Sequence, residues 1–303
     1  TPESPDWSQV KPRLARIRTV LRRCPHLGLN RPSPAITTTT ETEYKTLCYL
    51  LYRYCRWRLL ELSRDPAAAD ATATRELLQD LARCREYELE GNPGSTIYTN
   101  RRYLSQCSRI LCRRWDLLSD RELRRQQEWW QQQLKTLPQV TRHGVFAAYA
   151  EPAEQMGQRF WFMLPYQENI RATAYHLAAT ATPLLQQDYA VDHEAYRRFV
   201  AKQDKIFLLF QPDSDAHYQR IYSATQAICR LTLAGIELEQ FYRRHGHYPT
   251  APSLPTDPFS GQPLRYVPGQ MLYSVGPERS PAARTASQGD KTNDLIIKLR
   301  EQP

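Results

Sequence analysis

Arg244-His245-Gly246-His247-Tyr248-Pro249 ends one hydrophobic pattern and begins another. Upstream of it, Ile221, Ala224, Ile228, Leu231, Gly235, Leu238 and Tyr242 recur at three- and four-residue steps, the spacing of one face of an α-helix. Arg243, Arg244 and His245 put positive charge where the helix dipole is negative, and Gly246 supplies the left-handed residue that stops a helix. Downstream, Asp257-Pro258-Phe259-Ser260-Gly261 is turn chemistry, and short apolar runs follow over 264–267, 271–274 and 294–299. Pro249 and Pro258 fix the entry to each turn, and Tyr266 and Tyr273 are set to meet neighbours on adjacent strands. The stretch therefore predicts one long helix packed on a small antiparallel sheet.

The chain before it reads as helix almost throughout. The full sequence holds 22 prolines and only 11 glycines, a ratio that suits helices punctuated by proline better than a glycine-turned β-fold. Residues 1–40, with six prolines and the Thr37–Thr40 run, read as an extended arm around one short helix. A helix is expected from Tyr44 to Pro66 through Leu47, Cys48, Leu51, Cys55 and Leu59, and another from Asp70 to Glu88 with Leu77, Leu78, Leu81 and Cys84 inward. A third should run from Thr99 to Leu117 through Tyr103, Cys107, Ile110 and Leu111. Ser119 and Glu122 then spell a capping box that opens a fourth, expected to end near Pro138, with further helices broken around Gly144, Pro152 and Pro165 and another over 192–210. The expected organisation is a proline-rich arm over 1–40, an α-helical bundle or array over 41–215, and an α+β module over 216–303.

Composition limits the chemistry. With 303 residues, 41% hydrophobic and 24% charged, the chain can bury a sizeable core and is not disordered as a whole. Its net charge of +9 is carried by residues 1–150, the remainder being nearly balanced. No apolar run approaches the roughly 18 residues a spanning helix needs. The seven cysteines contain no CxxC pair, which speaks against structural zinc, and His245 and His247 are two ligands where a metal site needs a third. Glu151, Glu154, Asp188, Asp192 and Glu194 offer carboxylates for acid and base work, but nothing in their spacing brings them together. Nucleophile-elbow, P-loop and dinucleotide patterns are absent. Arginines interleaved with Tyr52, Trp57, Trp115, Trp129 and Trp130 could serve nucleic acid or another anionic surface. Arg53, Arg56, Arg83, Arg113 and Arg124 alternate with Glu61, Asp80, Glu86 and Glu122, however, a distribution that favours ordinary outer helix faces over a nucleic-acid groove.

Taken together, the helix, the Arg244–Pro249 string, the Asp257–Tyr266 string and Leu272-Tyr273-Ser274-Val275-Gly276-Pro277 resemble the globular part of the type II secretion major pseudopilin, over residues 218–299. The resemblance implies that Gly246, Tyr248, Pro249, Asp257, Pro258, Gly261, Tyr266, Tyr273 and Gly276 specify a fold and do not form an active site. A pseudopilin stem would continue this helix upstream, whereas here a long helical region precedes it. That order is similar to a group of large bacterial envelope proteins carrying the same C-terminal module, with the likeness extending to Thr74–Leu134. Pseudopilins also hold calcium in the loop before the last strand. By that resemblance Glu278, Asp290, Asn293 and Asp294 are the candidate calcium ligands, although Glu278 replaces the usual Asp and Asn293 one of two usual acids.

The expectation is a non-enzymatic structural or interaction protein of the cell envelope, periplasmic or otherwise outside the cytoplasm, working with protein partners in a larger assembly. Calcium is the one cofactor implied. Any leader or membrane anchor would belong to a segment outside this chain. The competing reading is an enzyme with a cleft between the helical domain and the C-terminal module, and a second is an anionic-surface or nucleic-acid binder using the basic N-terminal half.

Overall fold

In the computed structural model, residues 71–91, 96–159, 215–276 and 295–300 are described. The proline-rich arm over 1–40, the helix expected from Tyr44 and the helices expected beyond Arg159 lie outside them. The described part is mostly helical and carries one small antiparallel sheet. By its contacts the chain divides into two compact units, Thr1–Asn92 and Pro93–Pro303.

The first unit contributes helix α1, Ala71–Gly91. Thr74, Leu77, Leu78, Leu81 and Arg85 are buried at helical spacing, so Leu77, Leu78 and Leu81 of the expected stripe leave solvent, while the Cys84 side chain lies outside the described part.

The second unit is built around its longest apolar stripe. Helix α2 spans Thr96–Arg114 and ends in a 3-10 turn over Trp115–Leu117; helix α3 spans Asp120–Arg159, and helix α4 spans Asp215–His245. Both α2 and α3 pack on α4, and α4 also meets the sheet. Tyr103, Leu104, Cys107, Ile110 and Leu111 of α2 are buried, as are Leu123, Trp130 and Leu137 of α3. From α4 the core receives Ile221, Ala224, Ile228, Leu231 and Leu238. Each leucine or isoleucine among them contributes about 1.5–3 kcal/mol by leaving water. A polar rivet joins α2 to α4 inside this core, where the Ser108 and Thr232 hydroxyls lie 2.7 Å apart. At Gly235 the missing side chain lets Trp115 and Ile297 close on the helix: a Cβ there would stand 3.2 Å from the Trp115 ring and 3.3 Å from Ile297 Cδ1.

Helix α3 begins as its capping box dictates. The Ser119 N–H donates to Glu122 Oε2 over 2.8 Å, and the Glu122 N–H reaches back to Ser119 Oγ at 3.3 Å. It does not stop near Pro138, and the backbone remains helical through Pro138, Gly144 and Pro152 to Arg159. A proline inside a helix removes one hydrogen bond and costs about 3 kcal/mol in isolation. Leu123, Trp130, Gln133, Leu137 and Thr141 are buried on both sides of Pro138, and that burial offsets the local preference to break.

Three short strands complete the unit: β1, Arg265–Val267; β2, Met271–Tyr273; and β3, Ile296–Lys298. They pair antiparallel in the order β1-β2-β3, with Tyr266 opposite Leu272 and Leu272 opposite Ile297. Leu272 and Ile297 are buried and so form the inner face, as alternation along a strand requires. No helix among the described residues is long and apolar enough to cross a membrane. The described thiols Cys107, Cys112 and Cys229 are not joined in disulfides, and burial pushes the Cys112 thiol up to about 12 although the Ser108 hydroxyl draws it down.

Candidate functional site

The residues singled out in the C-terminal module are brought together, and they hold one another. Gly246 has φ +75° and donates its N–H to the Tyr242 carbonyl over 2.7 Å, closing α4. Tyr248 follows at once, buried and stacked on Tyr242 with ring centroids 4.8 Å apart. The Pro249 carbonyl accepts the Tyr266 hydroxyl over 2.8 Å, tying the exit of the helix to β1.

Asp257 is the centre of the loop between helix and sheet. Its side chain is fully buried, with Oδ1 accepting the Phe259 N–H at 3.0 Å and the Ser274 hydroxyl at 2.8 Å. Oδ2 accepts the Val275 N–H at 2.7 Å. The Asp257 main chain is engaged as well, donating to Gln262 and accepting from Gly261, so that Pro258 and Phe259 are carried inward. Gly261 and Gly276 both adopt positive φ at the ends of this loop system, where left-handed backbone favours glycine. The Gly276 N–H in turn donates to Ser274 Oγ at 3.2 Å. Tyr273, half-buried on β2, pairs with Arg265 and Ile296. These side chains bind backbone, which makes the string a folding device.

A second polar centre was not legible beforehand. Glu239 lies on the inner face of α4 with no exposed surface. Its carboxylate accepts Arg243 Nε at 2.9 Å and Arg300 Nε at 3.1 Å, and Arg300 Nη2 closes the pair. Arg243 then reaches away from the sheet: Nη1 donates to the Leu118 carbonyl and to Asp120 Oδ1, both at 2.8 Å, and Nη2 donates to the Trp115 carbonyl. Burial works against the Arg243 charge, but hydrogen bonds and Coulombic attraction from Glu239 and Asp120 leave its pKa raised. Arg300 also lies over the Tyr242 ring at 5.7 Å and donates its backbone N–H to the Tyr248 hydroxyl at 3.2 Å. One buried carboxylate thus joins α4, the α2–α3 junction and the end of β3. The sequence carried half of the signal, since Glu239 and Arg243 are four apart on a helix. Arg300 carried none.

The other candidates are placed as follows. His245 and His247 are exposed, their rings 6.2 Å apart and grouped around Phe241. No cluster of three or more His, Cys, Asp or Glu residues able to hold a metal occurs among the described residues. The calcium candidates Glu278, Asp290, Asn293 and Asp294 lie outside those residues, as do Tyr52, Trp57, Arg53 and Arg56. Trp115 and Trp130 are buried, and Trp129 packs edge-on against Trp130 at 5.1 Å. Arg113, Arg121, Arg124 and Arg125 are exposed. No protein-family model, curated protein or solved structure matches the chain.

Proposed function

We propose that this chain is a non-enzymatic structural or interaction protein of the cell envelope, a component of a larger assembly whose C-terminal module has a pseudopilin-like arrangement. The reading rests on the resemblance of residues 218–299 to the pseudopilin globular domain. The observation that carries it is the use of the motif residues: Gly246, Pro249, Asp257 and Tyr266 spend their polar atoms and backbone freedom on joining the helix to the sheet. A module specified this tightly presents a stable outer surface, which is what a subunit of an assembly requires. The positive charge lies ahead of it, in residues 1–150. Calcium in the loop before β3, held by Glu278 and Asp294 with help from Asp290 and Asn293, belongs to the same reading.

The test is the mass of the native particle. The protein is isolated from its envelope under mild conditions and weighed intact by native mass spectrometry, before and after chelation. A particle containing the chain with stoichiometric protein partners is the expected result. A clean monomer would overturn the assembly reading and turn attention to catalysis. An unchanged melting temperature after chelation would remove calcium from it.

A further inference from the structure

Helix α3 has two faces of opposite character. Leu123, Trp130, Gln133, Leu137 and Thr141 are buried on one side. At 100° per residue, Arg121, Arg124, Arg125, Glu128, Gln132 and Lys135 fall within about 60° of a line on the opposite side. All six are exposed, and Arg121, Arg124 and Arg125 make no ion pair or hydrogen bond with another described residue. Four cations and one anion therefore stand in a single stripe about 21 Å long, a net positive face among the described residues. This differs from the neighbouring Arg243, whose guanidinium is fully engaged by Glu239, Asp120 and two carbonyls.

We infer that this stripe is the docking surface for an acidic helical segment of a partner protein. The inference rests on reading the chain as an interaction protein and names the kind of partner it takes. Three of the four cations are arginines, whose planar forks match carboxylates through paired hydrogen bonds. They sit at positions i, i+3 and i+4, the spacing at which a facing helix presents its own acidic side chains. Glu128 lies in the middle of the stripe, where it favours a partner with a cation at its centre and acids on either side. A nucleic acid or a lipid surface is a uniform polyanion and would meet Glu128 as a repulsive charge. Neither finds its other requirements. Base stacking needs open aromatic faces, whereas Trp129 is packed on Trp130. Membrane burial needs apolar side chains beside the cations, and the large exposed hydrophobic residue among those described is Tyr98, on α2.

The experiment uses the full chain and three probes at about 0.15 M salt. The first is a synthetic helical peptide of about 20 residues with glutamates along one face and a lysine at the centre of that face. The others are a short DNA duplex and vesicles of phosphatidylglycerol with phosphatidylcholine. The peptide is expected to bind more tightly than either, and R121Q/R124Q/R125Q is expected to weaken it about tenfold or more, each lost charge pair counting for a fraction of a decade. Replacing the central lysine of the peptide by glutamate should also weaken binding. Arg265→Gln, on β1, should leave it unchanged, and an unaltered melting temperature shows that the triple variant is folded. Tighter binding to the duplex or the vesicles, with the same arginine dependence, would overturn the choice of partner. Equal binding by the triple variant would overturn the site, and would do so even if the native particle proves to be large.

Discussion

Glu239 and Arg300 are 61 positions apart in the chain, yet Arg300 Nε lies 3.1 Å from Glu239 Oε2 inside the fold. The pair fastens the chain two residues beyond β3 to the last two turns of α4. Glu239 has no exposed surface, while the side chains of Arg300 and Arg243 keep 32% and 19% of theirs. The carboxylate is thus the member that cannot be resolvated in place. Removing it leaves Arg300 without this counter-charge and Arg243 with Asp120 alone. Glu239→Leu is therefore expected to cost about 3–5 kcal/mol, as for a broken buried pair. Arg300→Ala should cost less, because Arg243 remains on Glu239. Urea unfolding of the two variants checks the order; equal losses would mean that the carboxylate is not the common anchor.

Asp257 does the same work within the loop. Three donors, Phe259 N, Ser274 Oγ and Val275 N, end on its two oxygens. Asp257→Ala strands two backbone N–H groups, that of Phe259 buried and that of Val275 half-buried. The loss should be about 2–4 kcal/mol, since a hydrogen bond to a charged acceptor contributes about 1.5–3 kcal/mol and neighbouring bonds are not additive. Ser274→Ala removes one donor to Asp257 and the acceptor of the Gly276 N–H but leaves the other two donors in place, so its loss should be smaller, about 1–2 kcal/mol. Denaturant midpoints of both variants settle whether the loop depends on the carboxylate or on the hydroxyl.

What the sequence disclosed is what local chemistry controls. The face of α4, its stop at Gly246, the turn at Asp257 and the capping box at Ser119 all arise within a few residues of one another, and each is present. Helix α3 departs from expectation at Pro138 because the penalty is local while the burial that offsets it is tertiary. The Glu239 centre stayed hidden for the same reason. Glu239 reads as one more acid on a mixed helix until Arg300, from beyond the end of the sheet, is brought against it in space, and the Trp115 carbonyl, after the end of α2, against its partner Arg243.

Two glycines on α4 and its end give opposite expectations for the same substitution. At Gly246 a Cβ would meet nothing within 4 Å, so only the backbone conformation at φ +75° resists a side chain. Gly246→Val should cost about 1–3 kcal/mol, and Gly246→Asn much less, because asparagine tolerates the left-handed region. Gly235 is ordinary helix but touches Trp115 and Ile297. There Gly235→Val should cost about 1–3 kcal/mol by overpacking, and asparagine should give no relief. Thermal unfolding of the four variants separates strain from crowding.

Tyr248 supplies a pH dependence whose sign is fixed by its surroundings. Burial pushes its phenol up to about 12, and the nearby Glu239 charge acts in the same direction, although the Arg300 N–H and charge draw it back. An unfolded tyrosine ionises near 10. Below that value the phenol is protonated in both states and its contribution to stability is fully present. As pH rises from about 10 to 12 the unfolded chain gives up its proton first, and the contribution is lost. The chain should therefore become easier to unfold across this window. Tyr248→Phe should flatten that slope while lowering stability at neutral pH by about 0.5–1.5 kcal/mol through the missing acceptor for Arg300 N–H. Urea midpoints measured from pH 8 to 12, with the phenolate absorbance followed in parallel, test it: a slope unchanged in the Phe variant would assign the alkaline transition to other groups.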